Sequence, residues 1–137
     1  MVARRQKPAV PYERDVLKAC LLTLEILGVH AERQNTGAVT MRDAKGGRRF
    51  VRFGTAGNLD IRGIIDGKPL EIEVKRPGKR PSDKQYARMR EIQGQGGIAF
   101  WVDDAKELEA IVRGIRAGCA VRIDERGDSV LSGREVR

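Results

Sequence analysis

Two strand-like runs joined by an Asp-Gly pair constrain the fold of this chain more than any other feature. Leu59 to Ile65 and Lys68 to Lys75 flank Asp66-Gly67. Asp-Gly between two such runs is a strong signal for a hairpin with a two-residue turn, because both turn residues must adopt positive φ. The sequence therefore predicts an antiparallel hairpin over residues 59–75.

The second run of this hairpin alternates apolar and charged side chains. In a strand, alternate side chains point to opposite faces, so the apolar set is expected to enter the core and the charged set to share the other face. The apolar set is Leu70, Ile72 and Val74, and the charged set is Glu71, Glu73 and Lys75.

The turn length sets the cross-strand partners on the charged face. A two-residue turn opposes Arg62 and Glu71, which are complementary, and opposes Asp60 and Glu73. Two facing carboxylates, with Cβ atoms roughly 5 Å apart, repel each other unless a cation lies between them. A four-residue loop would instead oppose Asp60 and Lys75 in an ordinary ion pair. Both registers remain open at this point.

The remaining patterns predict helices and further strands around the hairpin. We expect an α/β fold bordering on α+β, in which a mixed sheet is flanked by helices. The predicted elements are a helix over Tyr12 to Leu27, a meander of strands over Val29 to Gln34, Ala38 to Arg42 and Arg48 to Phe53, a helix over Ser82 to Gly94, a buried strand over Gly97 to Val102, and a helix from Asp104 to about Arg116.

With 137 residues the chain is expected to form one domain. Its predicted limits are residues 12–121, preceded by a flexible basic arm (1–11) and followed by a polar, loosely held tail (122–137) with at most one short strand. No apolar run is long enough to span a bilayer, and the basic start lacks an apolar signal core, so we expect a cytoplasmic protein without a membrane partner.

The charge of the chain favours a polyanionic partner. Lys and Arg total 27 against 19 Asp and Glu, giving a net charge of +8, which is typical of proteins that bind nucleic acid. Only 4% of the residues are aromatic, so platforms for stacking bases are scarce and contacts to the backbone are favoured.

The charged face of the hairpin also has the groups that phosphoester hydrolysis needs. Mg²⁺ takes oxygen ligands, usually one or two carboxylates completed by water and substrate phosphate. Asp60 and Glu73 would supply them if the turn has two residues. Lys75, on the same face, would lie beside the ion, where an ammonium stabilises charge growing on a phosphoryl group.

Several motifs in order resemble the PD-(D/E)xK nuclease superfamily, and more closely its virus-type replication-repair nuclease (VRR-NUC) branch. Together with the first helix they cover roughly residues 12 to 110. The matching stretches are Arg33-Gln-Asn-Thr-Gly37, Arg49-Phe-Val-Arg-Phe-Gly54, Gly57-Asn-Leu-Asp60, Ile72-Glu-Val-Lys-Arg-Pro-Gly78, Ser82-Asp-Lys-Gln85 and Gly96-Gly-Ile-Ala-Phe100. Leu59 stands where the superfamily name implies proline, which is not a ligand.

The resemblance implies a restriction-endonuclease-like fold and a role for each matching residue. Asp60 and Glu73 would bind Mg²⁺ or Mn²⁺, the Val74 carbonyl would be a further ligand, and Lys75 would be the catalytic lysine. Two more residues, Glu13 and Gln85, match the acidic residue and the glutamine that complete the site in this branch. Each has an alternative role, since an acidic residue favours a helix N-terminus and Gln85 fits a capping box.

The candidates for contacting DNA lie in two predicted loops. They are Arg33 and Asn35 before Gly37, and Arg76, Lys79 and Arg80 after the second strand of the hairpin. The sequence therefore predicts a metal-dependent DNA endonuclease. The resemblance adds branched or four-way junction DNA as substrate and a phage-type homodimer. The alternatives are a catalytically silent DNA-binding module and a basic protein-interaction domain.

Overall fold

Helices and strands lie close to the predicted ranges. The computed structural model describes residues 9–34, 37–42, 44–53 and 57–133, and within these ranges none of the helices is long and apolar enough to cross a membrane. The elements are α1 (Glu13–Ile26), β1 (His30–Arg33), β2 (Gly37–Arg42), β3 (Arg48–Phe53), β4 (Ile61–Ile65), β5 (Lys68–Val74), α2 (Asp83–Gly94), β6 (Ile98–Val102), α3 (Ala105–Arg116), β7 (Ala120–Ile123) and β8 (Ser129–Ser132).

A mixed four-stranded sheet forms the centre of the fold, in the order β1-β4-β5-β6. The pairs β1-β4 and β4-β5 are antiparallel, and β5-β6 is parallel. Strands β2 and β3 pair with each other, as do β7 and β8. The expected mixed sheet with flanking helices is confirmed, and the arrangement is that of an α+β fold.

The prediction of a continuous meander is wrong, because β1 pairs with β4 and not with β2. Gly63 in β4 explains how β1 comes so close, since a side chain there would collide with the carbonyl oxygen of His30. The Gln34 N–H donates to the Asp60 carbonyl at 2.7 Å and extends this pairing by one residue. The β2-β3 hairpin is thus an insertion between two neighbouring strands of the main sheet.

The β4-β5 hairpin has the two-residue turn that Asp66-Gly67 predicts. Both residues have positive φ, 50° at Asp66 and 75° at Gly67, as this kind of turn requires. The register opposes Ile61 and Ile72, and Arg62 and Glu71. The longer loop, which would have opposed Asp60 and Lys75, is therefore excluded.

Apolar side chains cover both faces of the main sheet. Helices α1 and α3 pack on one face, where Leu17, Leu24 and Val112 are among the buried residues. On the other face α2 packs over β6 and forms a smaller cluster. Its buried members are Leu59, Met89, Ile92, Ala99 and Trp101. Because of this second layer, the face that carries Glu71 and Glu73 is not open to solvent along its whole length.

The segment that follows α3 is attached to the domain by hydrogen bonds around Trp101. The Trp101 indole N–H donates to the Gly127 carbonyl at 2.7 Å, and the backbone N–H and carbonyl of Trp101 both bond to the Ser129 hydroxyl. Strand β8 also pairs with β7. The prediction of a loosely held tail is therefore wrong up to Gly133, and residues 134–137 lie outside the described ranges.

Candidate active site

Asp60 and Glu73 meet where the β4-β5 hairpin ends. Asp60 directly precedes β4, and Glu73 is the last but one residue of β5. The Val74 N–H donates to Asp60 Oδ2 at 2.9 Å and fixes the carboxylate against β5. Only 1% of Glu73 is exposed, and its Oε2 has no hydrogen-bond partner within the described part of the chain.

The two carboxyl groups strongly affect each other. Burial first, and then the hydrogen bond with Asp60 and the charge of Asp60, raise the pKa of Glu73 to about 9. Glu13 acts in the same direction, whereas the charge of Lys75 lowers the pKa. Two like charges this close cannot both persist unscreened. At neutral pH the pair therefore holds a proton, or a cation in its place.

Lys75 lies between two carboxylates. Its Nζ is 4.0 Å from Glu73 Oε2 and 4.0 Å from Glu13 Oε1. The Lys75 side chain is 18% exposed and that of Glu13 is 52% exposed. The backbone N–H of Lys75 donates to Val102 on β6 at 3.0 Å, which anchors the residue where β5 ends. The structure thus brings Glu13, Asp60, Glu73 and Lys75 together.

The Val74 carbonyl lies on the Asp60 side of β5. In a strand the N–H and C=O of one residue point to the same neighbour, and the Val74 N–H donates to Asp60. The carbonyl oxygen therefore points to the side of β5 on which Asp60 lies, and its role as a backbone ligand stays a prediction.

Gln85, a predicted residue of the site, makes its hydrogen bonds at the start of α2 and not with the carboxylates. Its Oε1 accepts from the Ser82 N–H at 2.9 Å, and its own N–H donates to Ser82 Oγ at 3.2 Å. These two bonds form a capping box at the start of α2. The structure therefore places Gln85 in the capping role, the alternative that the sequence left open.

The donor set at this site fits a hard divalent cation with few protein ligands. Among the residues that the structure describes, no group of three or more His, Cys, Asp or Glu side chains is arranged to hold a metal ion. Mg²⁺ does not require such a group, since one or two carboxylates with water and substrate phosphate suffice. Glu73 Oε2, buried and without a hydrogen-bond partner in the described ranges, is the kind of atom that such an ion would satisfy.

Basic side chains border an open pocket beside the carboxylates. Arg14 and Lys18 from α1 and Arg33 from the end of β1 line it together with Asp60. Arg33 therefore lies beside Asp60, its contact with DNA stays a prediction, and Asn35 falls outside the described residues. The sequence interpretation missed Arg14 and Lys18, although their spacing of four residues places them on one face of α1.

The other residues predicted to contact DNA differ in their exposure and in their contacts within the chain. Arg80 is engaged by the C-terminal hairpin, since it bonds to Asp128 at 2.9 Å and to the Arg126 carbonyl. Arg76 stacks over the Tyr12 ring, with its guanidinium carbon 5.7 Å from the centroid. The Lys79 side chain is exposed. Arg76 and Arg80 are thus both engaged by other residues of the chain.

No family model matches the chain, and no curated protein matches its sequence. The expectation of a VRR-NUC-like nuclease therefore remains a prediction, which depends on the ordered motifs in the sequence.

Proposed function

We propose that this protein is a metal-dependent endonuclease that hydrolyses DNA phosphodiester bonds. The observation that carries the proposal is the meeting of Asp60 with the buried carboxyl of Glu73 beside Lys75. A buried pair of like charges is costly in a purely structural role. A cation between the two carboxyl groups relieves that cost. Such a cation commonly completes its coordination with oxygen atoms of a substrate phosphate.

Asp60, Glu73 and the Val74 carbonyl would hold Mg²⁺ or Mn²⁺. When bound, the ion would supply a Lewis-acid charge that stabilises negative charge on the phosphoryl group. Both ions prefer oxygen ligands, and all three groups offer oxygen.

Lys75 and Glu13 are assigned complementary tasks. The Lys75 ammonium, held within 4.0 Å of both carboxylates, stabilises the charge that builds on the phosphate as water attacks phosphorus. The net reaction adds one water across a P–O bond and releases a phosphate monoester and a hydroxyl. Glu13 keeps the lysine in position and is a positioning residue, not a catalytic one.

The basic side chains beside the pocket support an approach by the DNA backbone. Arg14, Lys18 and Arg33 flank Asp60, and the chain carries a net charge of +8. Arginine and lysine contacts to phosphates give affinity without sequence preference. We extend the proposal to branched DNA and a symmetric homodimer, because resolving a four-way junction needs two coordinated cuts and each chain offers one site.

A panel of DNA shapes and ions tests the activity. Linear, flapped and four-way junction DNA would each be incubated with Mg²⁺, Mn²⁺, Ca²⁺ or EDTA, and cleavage followed on gels. We expect cutting with Mg²⁺ or Mn²⁺, most efficiently on branched DNA, and no cutting in EDTA. Tight binding without cutting under every condition would select the silent DNA-binding module instead. Light scattering with and without junction DNA tests the dimer, and a monomer in both samples would refute it.

A further inference from the structure

A second pocket lies beside the carboxylate pair on the same face of the sheet. The pairing of β1, β4 and β5 places Gln34 in line with Asp60, and places Glu32, Arg62 and Glu71 in the adjacent row. The pocket has a volume of about 340 Å³ and is lined by residues of these rows and by Arg88 from α2. This volume falls in the range of roughly 300 to 1,000 Å³ that is typical of ligand sites.

Three polar atoms of this lining are buried without a hydrogen-bond partner in the described part of the chain. They are Gln34 Oε1, Glu71 Oε1 and Arg88 Nε. Glu71 is only 9% exposed, and its other oxygen, Oε2, accepts from Arg88 Nη2 at 2.8 Å. The ion pair between Arg88 and Glu71 thus leaves one oxygen of Glu71 and the Nε of Arg88 without a hydrogen bond in the described part of the chain.

Such an arrangement is poorly explained by stability. A partly buried ion pair contributes little net stability, and one that is incompletely hydrogen-bonded contributes less than apolar side chains of similar size. Buried polar atoms in native proteins are nearly always satisfied, so three exceptions in one pocket require a partner. The required partner offers two donors to the acceptors on Gln34 and Glu71 and one acceptor to Arg88.

We propose that this pocket binds the base of an unpaired nucleotide next to the scissile phosphate, and that it prefers guanine. The Watson–Crick edge of guanine offers two N–H donors beside one carbonyl acceptor, which matches the three atoms in number and kind. In a duplex this edge is already paired, so only an unpaired base is recognised. The inference rests on the proposed function and adds a reason why branched DNA would be selected.

The position of the pocket agrees with a nucleotide that directly flanks the cut. Glu71 precedes Glu73 by two residues on the same face of β5, a separation of about 6.6 Å along a strand. Arg88 lines the pocket and is 36% exposed, so that its planar guanidinium is available to donate to the edge of a base. Hydrogen-bond recognition of this kind also fits a chain in which 4% of the residues are aromatic.

Binding measured in EDTA tests the pocket separately from catalysis. Fluorescence anisotropy would compare duplexes that carry one unpaired guanine, inosine, adenine, cytosine or thymine at the branch point. We expect guanine to bind roughly 5- to 100-fold more tightly than the pyrimidines, with inosine in between because it lacks the exocyclic amine. Equal affinities for all five bases would overturn the inference. Absence of cleavage in the panel above would overturn the proposed function and leave this preference measurable.

Two variants connect the preference to the pocket. Glu71→Gln keeps the shape but replaces an acceptor with a donor, and Gln34→Leu removes the second acceptor. Each is expected to reduce the guanine preference to less than about threefold, while thymine-bearing duplexes bind as before. The matched control is Glu109→Gln, which changes an exposed pair with Arg113 on α3 and should keep the full preference. A full preference in both pocket variants would refute the assignment, and thermal unfolding verifies that each variant is folded.

Discussion

Replacing Glu73 with glutamine tests the carboxylate pair most directly. In the metal-free protein the pKa of Glu73 is raised to about 9 from its ordinary value of 4.5, chiefly by burial and then by Asp60. At pH 7 the unfolded glutamate is ionised, so holding the proton in the fold costs about 1.4 kcal/mol for each pH unit above 4.5, about 3 kcal/mol in all. Glutamine resembles the protonated acid in shape and does not bear this cost.

Glu73→Gln should therefore stabilise the metal-free protein. Because the folded pKa is raised, the parent loses stability as pH rises from about 4.5 to about 9. The advantage of the variant should be absent below pH 4.5 and grow through that window. At pH 7 in EDTA we expect the melting temperature to rise by up to roughly 10 °C, measured by circular dichroism.

Glu73→Gln should also lose metal binding and DNA cleavage. Added Mg²⁺ or Mn²⁺ should stabilise the parent but not Glu73→Gln, and cleavage should fall by at least about 100-fold, since even indirect partners of a metal commonly matter by 10- to 100-fold. Glu109→Gln, in an exposed pair with Arg113, should change stability by less than about 1 kcal/mol. Parental cleavage by Glu73→Gln, or a lower melting temperature in EDTA, would refute this account of the site.

Three further outcomes are expected. Lys75→Met removes the ammonium 4.0 Å from Glu73 and should slow single-turnover cleavage by roughly 100- to 1,000-fold while DNA binding persists; an unchanged rate would contradict its role. The pKa of Glu107 is raised to about 7 by burial and by Asp103, so the parent should lose stability as pH rises from 4.5 through 7, and Glu107→Gln should melt higher than the parent at pH 8 but not at pH 4. DNA binding in EDTA should weaken by about 100-fold between 50 and 200 mM salt if about four phosphates are contacted, and anisotropy titrations that show no salt dependence would argue against an electrostatic interface.

The parts of the fold that the sequence predicts well are those set by local chemistry. Asp66-Gly67 requires two positive φ angles, which are observed, and this alone fixes the β4-β5 register and brings Asp60 to Glu73. The capping box at Ser82 places α2 within one residue of its predicted start. Each prediction depends on neighbours in the chain, whose effect on the backbone is known in advance.

The predictions that failed depend on contacts between distant segments. Gly63 has no side chain, and this allows β1 to pair with β4. The spacing of apolar residues in the sequence does not predict which strand pairs with β4. The C-terminal hairpin bonds to Trp101, and its strands have only 4 residues each, which is too short for a clear strand pattern in the sequence. A strand signal is weak wherever the strand is short and only half buried.

The ion-pair partners of the charged residues in the hairpin could not be predicted from the sequence either. The register opposes Arg62 and Glu71, as predicted, yet Arg62 pairs with Glu32 at 2.9 Å and Glu71 pairs with Arg88 at 2.8 Å. Helix α2 packs over this face and brings a second arginine to Glu71. Backbone register limits which side chains meet, but the packed helix decides which of them bond.

The difference between Glu71 and Glu73 explains why only one of them has the character of an active-site group. Both lie on the same face of β5 and both are buried, so burial alone does not separate them. The register places Arg62 opposite Glu71 and brings Asp60 to Glu73. Arg88 from α2 bonds to Glu71. Charge on Glu71 is compensated inside the chain, whereas charge on Glu73 is compensated only in part by Lys75 and requires a proton or an added cation. We therefore propose that Glu71 serves recognition and that Glu73, two residues further along the hairpin, serves a metal ion.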